Sequence, residues 1–145
     1  MTMDQVITLA SMIEKEAKAG DFAKVSAVFH NRLAKDMPLQ SDATIQYILK
    51  SRKLVFTAEE TATESPYNTY VNTGLPIGPI CNPGKAAIEA ALYPDEDMVD
   101  GGYLYFCLKD PATGELVFAK TLDEHNANVE QYKALWEQAD ADSAG

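Results

Sequence analysis

Two cysteines and two histidines are the whole stock of thiol and imidazole metal ligands in this sequence. Cys81 and Cys107 are too few for a disulfide framework and are not spaced as a zinc site. Both are expected as unpaired small core residues, and no metal or cofactor is expected. Positive charge is scarce as well: 12 Lys and Arg stand against 22 Asp and Glu, a formal net charge of -10. A nucleic-acid partner is therefore excluded, because such affinity rests on clustered cations. No apolar run approaches the ~20 residues that span a bilayer, and the N-terminus lacks the basic and apolar regions of a signal peptide. The chain alone is read as soluble. What it does have is 46% hydrophobic residues in 145, enough for one domain with a real core.

Thr2 or Asp4 can cap a first helix whose Val6, Leu9, Ala10, Ile13 and Ala17 recur at helical spacing, with Gly20 as its end. Asp21 is the expected cap of a second helix carrying Val25, Val28, Phe29 and Leu33, with Pro38 just beyond. Ser41 or Asp42 opens a third, Leu54-Val55-Phe56 reads as a short strand, and Thr57 with Glu60 forms a capping box. From Ser65 to Gly84 four prolines and three glycines exclude a regular helix or central strand. Loops of that length usually carry function, which makes Tyr67 to Asn82 a candidate site. Asn82 is the expected cap of a helix with Pro83 at its first position, ending near Leu92.

Tyr103–Cys107 and Leu116–Phe118 flank a turn at Asp110–Gly114 and read as a β-hairpin. Thr121 with Glu124 opens a last helix carrying Leu122, Val129, Tyr132 and Trp136 on one face. The expected fold class is α+β: a mostly helical single domain with one small antiparallel hairpin and a long ordered Pro/Gly-rich loop. Residues 1–139 form the domain and 140–145 a frayed tail.

Two borders of the first helix can hold a working acid. Glu14 neighbours Ile7 and Ser11 on one side of the buried stripe; Glu16 neighbours Leu9 and Met12 on the other. A carboxyl at such a border is partly desolvated, which raises its pKa toward neutrality. Periodicity does not choose between them. On the last helix, His125 and Asn126 lie on or beside the apolar face, where polar groups need partners. Phosphate cradles of the P-loop type, a GxSxG elbow and HExxH are all missing.

Seven signatures follow in order: Ala10-Ser-Met-Ile-Glu14-Lys-Glu16, Val28-Phe-His-Asn31-Arg32-Leu33, Met37-Pro-Leu-Gln40-Ser-Asp42, Tyr67-Asn-Thr-Tyr70, Gly74-Leu-Pro-Ile-Gly-Pro79, Asn82-Pro-Gly84 and Glu124-His-Asn126. Together they resemble the catalytic domain of the YceG-like family, endolytic murein transglycosylases of the MltG type, over about residues 2–136. The resemblance implies Glu14 as the acid/base and cleavage of the β-1,4 bond between N-acetylmuramic acid and N-acetylglucosamine, leaving a 1,6-anhydro end. It also implies peptidoglycan strands as substrate, cell-wall elongation proteins as partners, and a membrane anchor and LysM-like domain ahead of this region. The domain would then work on the extracytoplasmic face of the cytoplasmic membrane; Met1 is expected to be either an artificial start or a domain boundary.

By side-chain chemistry, Gln40, Tyr67, Asn68, Tyr70 and Asn82 are the candidate substrate wall, completed by His125 and Asn126. Asp42 is either a helix cap, an orienting group for Gln40, or the second carboxylate of a hydrolase. Arg32 either pairs with an acidic neighbour or meets a lactyl or peptide carboxylate. The competing reading is a glycan-binding or scaffolding module without catalysis. A pyridoxal-dependent lyase activity, a label also attached to the family, finds no phosphate-binding element.

Overall fold

Helix α1 (Met3–Glu16) starts on a reciprocal capping box in which Thr2 and Gln5 satisfy each other's backbone N–H groups. Its Leu9, Met12 and Ile13 are fully buried, each contributing roughly 1.5–3 kcal/mol of apolar transfer. The computed structural model describes residues 1–144. In it α1 stops at Glu16, short of Gly20, because Ala17 turns extended and a 3-10 turn follows at Ala19–Asp21. Helix α2 (Phe22–Ala34) returns against α1 and buries Val25, Val28 and Phe29; Asp21 precedes it without a side-chain cap bond.

Helix α3 (Asp42–Leu49) is entered through Gln40, whose φ of 49° lies in the left-handed region. Such a conformation costs about 1–3 kcal/mol in a non-glycine residue unless its surroundings impose it. Here the buried Thr69 does so: its C=O accepts from Gln40 N–H (3.1 Å) and its Oγ1 accepts from Ser41 N–H (2.9 Å).

Leu54-Val55-Phe56 is not a strand, since no partner strand reaches it; the Leu54 and Val55 N–H groups donate instead to the Asp140 carboxylate at 2.9 Å and 3.1 Å. Helix α4 (Ala58–Thr61) has the expected Thr57–Glu60 capping box. The Pro/Gly-rich segment is irregular throughout yet fastened. Ser11, on the buried face of α1, accepts from Ile80 N–H at 3.0 Å, and the buried Asn68 side chain donates to Thr61 and Thr63 carbonyls at 3.0 and 2.7 Å.

Helix α5 (Lys85–Leu92) begins two residues later than Asn82 and Pro83 imply, with Gly84 at its N-cap, and it packs on α1 and α2. A short α6 (Glu96–Asp100), capped by Asp95, carries no signal strong enough to be expected from sequence. Strands β1 (Tyr105–Asp110) and β2 (Glu115–Ala119) pair antiparallel with Phe106 opposite Phe118 and an irregularity between Leu108 and Asp110. Gly114, at φ 78°, closes the turn between them.

Helix α7 (Leu122–Ala144) lies on the hairpin and buries no residue fully; Trp136 Nε1–H donates to Leu108 C=O at 2.8 Å. Leu122 is exposed, the stretch from Asp140 is helical to Ala144, and the Asp140 carboxylate accepts from the Leu54 and Val55 N–H groups. Gly145, the end of the expected tail, lies outside the described residues. The architecture is α+β and mostly helical, with one two-stranded sheet among the described residues. None of the described helices is long and apolar enough to cross a membrane.

Candidate active site

Where the C-terminal end of α1 meets the N-terminal end of α3, the hairpin and α7 close over them and leave a cavity of about 320 Å³. Glu16, Arg32, Gln40, Asp42, Tyr70 and His125 bring polar groups to it, and Phe106, Leu108, Val129 and Trp136 supply apolar wall.

Glu16 is the last residue of α1. Its Oε1 accepts from the Ser41 hydroxyl and from Ala43 N–H (3.0 Å), so it caps α3 where Ser41 makes no cap bond of its own. Both bonds fall on Oε1, and Oε2 has no protein partner among the described residues. Burial is the main reason its pKa is pushed up to about 7, and the nearby Asp42 carboxylate adds to it; the Ser41 and Ala43 bonds only partly offset these effects. Near neutral pH this carboxyl therefore exchanges its proton.

Asp42 is also raised by burial, against a hydrogen bond from the Tyr70 hydroxyl that favours its charged form. Tyr70 in turn is driven far above the ordinary phenol range by burial and by that carboxylate. Tyr70 stays a donor.

Arg32 is 6% exposed and pairs with no acidic residue among those described. Two carbonyls fix its guanidinium, Leu104 C=O on Nε and Pro38 C=O on Nη1, both at 2.6 Å, and the group lies 4.9 Å from the centre of the Tyr105 ring. Tyr105 stacks in turn on His125 at 5.0 Å. Burial and the Arg32 charge lower the His125 pKa, so its ring is neutral near pH 7, and its Nδ1 is buried with no partner.

The other expected site residues lie elsewhere. Glu14 lines neither this cavity nor its neighbour; its Oε1 accepts from Gly84 N–H at 2.9 Å and serves the start of α5. Asn68 is 1% exposed and spends its side chain on loop backbone, accepting from Tyr70 N–H at 2.8 Å. Tyr67 lines the adjoining cavity, while exposed Asn82 and Asn126 line neither. Both cysteines are free and partly buried; Cys107 borders the cavity, its thiol pushed up by burial to about 11.

Ser41, Thr69 and Tyr105 complete the arrangement. In the sequence Ser41 reads as a helix cap, Thr69 falls within the Tyr67-Asn-Thr-Tyr70 signature and Tyr105 within the hairpin, and none of the three is marked there as a site residue.

A model of the YceG-like family matches residues 1–131. The chain belongs to the YceG-like family. It is 46% identical over 133 residues to an endolytic murein transglycosylase of Bacillus subtilis, covering 91% of this chain and 35% of that protein. A relative of the same name from Streptococcus pneumoniae is 36% identical over 138 residues, covering 91% of this chain and 24% of the relative. The chain thus spans about a quarter to a third of these curated relatives. A crystal structure of a yceG-like protein of Listeria monocytogenes superposes with a TM-score of 0.78 at 47% identity, over 88% of this chain and 40% of that one. This YceG-like fold thus carries its buried carboxyl at the junction of α1 and α3.

Proposed function

We propose that this chain is the catalytic domain of an endolytic lytic transglycosylase acting on peptidoglycan strands, with Glu16 as its single acid/base. The observation that carries the reading is a carboxyl whose pKa is pushed up to about 7 inside a polar, aromatic-lined cavity. The names of the relatives supply the substrate class.

A glycosidic oxygen leaves only when protonated. Protonated Glu16 gives its proton to the oxygen between N-acetylmuramic acid and N-acetylglucosamine, and the bond from the muramic C1 to that oxygen breaks. The C6 hydroxyl of the same sugar attacks C1, and Glu16, now ionised, takes the hydroxyl proton. No water is consumed and a 1,6-anhydro ring is left. Intramolecular attack needs no positioned water, which saves much of the entropic barrier. Asp42, which accepts from the Tyr70 hydroxyl in the same cavity, faces the positive charge that develops on the sugar. Neutral His125 offers Nδ1 to an acetamido N–H, and Gln40 adds donors at the cavity edge.

Asp42 in the same cavity favours one second reading, a muramidase in which it activates water. Mass spectrometry of digested peptidoglycan separates the two. Anhydromuramyl ends are expected; reducing ends alone would assign the hydrolase. A binding module without catalysis requires that Glu16→Gln leave strand cleavage unchanged. For the whole protein, membrane anchorage outside the cytoplasm and work beside elongation proteins are proposed on family likeness alone.

A further inference from the structure

A second cavity, of about 630 Å³, opens on the other side of α3 and shares Lys15, Ala43 and Gln46 with the first. Its charge is one-sided. Lys15, Lys50 and Arg52 line it, no Asp or Glu does, and none of the three cations is engaged in an ion pair among the described residues. In a chain with 22 acidic and 12 basic residues this is the reverse of the overall balance. The rest of the wall includes an aromatic pair, Tyr47 and Tyr67, with ring centres 4.9 Å apart and Tyr47 43% exposed. Lys50 holds its place through the left-handed turn that ends α3, at φ 53°.

We propose that this cavity is a subsite for the peptide carried by the strand's muramic sugar, with peptide carboxylates on Lys50 and Arg52 and an apolar face against Tyr47 and Tyr67. The inference rests on the reading that a glycan strand occupies the first cavity. A polymer lying there meets the second across the shared Lys15–Gln46 wall. In a peptide-bearing strand each muramic lactyl carboxyl is spent in the amide bond to its peptide, so the free carboxylates lie on the branches and an all-cationic neighbour complements them. Cations of this kind steer and select more than they hold, and two exposed contacts give a preference of about three- to tenfold.

The test measures affinity of end-labelled strand oligomers, with their peptides and after enzymatic removal of them, for the chain carrying Glu16→Gln. Peptide-bearing strands should bind about three- to tenfold tighter, and adding K50Q and R52Q should bring the ratio to about one. Raising salt from about 50 to about 300 mM should shrink the ratio only while Lys50 and Arg52 are present. Equal affinity for both strands, or a ratio that survives the double substitution, would overturn the subsite. So would displacement by a glycerol phosphate oligomer as effective as by free peptide, which would assign the cavity to phosphodiesters. If the unsubstituted chain binds with the expected preference but cuts neither strand, the catalytic reading fails and the subsite stands.

Discussion

Glu14 and Glu16 stand on one helix, and a single lysine separates them. Their surroundings differ. Glu14 accepts from Gly84 N–H at the start of α5. Glu16 also caps a helix, α3, yet burial and the Asp42 carboxylate outweigh the bonds it accepts there and push its pKa up. A cap bond is common to both; the raised pKa of Glu16 comes from burial beside a like charge.

The largest effect that sharpens this contrast is on turnover. Glu16→Gln should cut strand cleavage by roughly 10^2- to 10^4-fold, the usual reach of general acid–base catalysis, while Glu14→Gln stays within a few-fold. Release of muropeptides from purified sacculi measures both. A reversed order would break the comparison.

Stability responds next. The Glu16 carboxyl holds its proton up to about 7 when folded, against an ordinary value of 4.5, so folding takes up a proton between those limits. Stability therefore falls as pH rises across that window, and above it the full cost, roughly 3 kcal/mol, is present. Glu16→Gln should raise the melting temperature by several degrees at about pH 8 and hardly at all at about pH 4. Glu14→Gln should show no such gain.

A smaller effect concerns Asp42. Removing its charge in Asp42→Asn takes away the second cause of the raised Glu16 pKa, so the alkaline limb of the rate profile should move to lower pH. The smallest effect is on α5. Glu14→Gln should cost about 0.5–1 kcal/mol in denaturant unfolding, the worth of a charged group at a helix start.

Much of the architecture was legible. A cap at Thr2, the capping box at Thr57, the apolar stripe of α1 and the hairpin all follow from local chemistry. The place of Glu16 did not, and the reason is a boundary. With Gly20 as the expected end, Glu16 reads as a mid-helix border residue. With Ala17 as the observed C-cap, it stands at the negative end of the α1 dipole, an unfavourable place for a carboxylate. Three residues of helix length separate the two readings. The strand expected at Leu54–Phe56 failed for a different reason: its backbone partner, Asp140, is remote in sequence. Asn68 looked like a substrate amide because residue type does not reveal that its bonds are spent on Thr61 and Thr63.

The most direct measurement is a carbon-13 NMR titration of the side-chain carboxyl carbons, with the Glu16 signal assigned by its loss in Glu16→Gln. A midpoint at about 7 for that carbon is the expected result. A midpoint in the ordinary glutamate range, near 4.5, would contradict the claim that Glu16 is a desolvated acid poised at working pH.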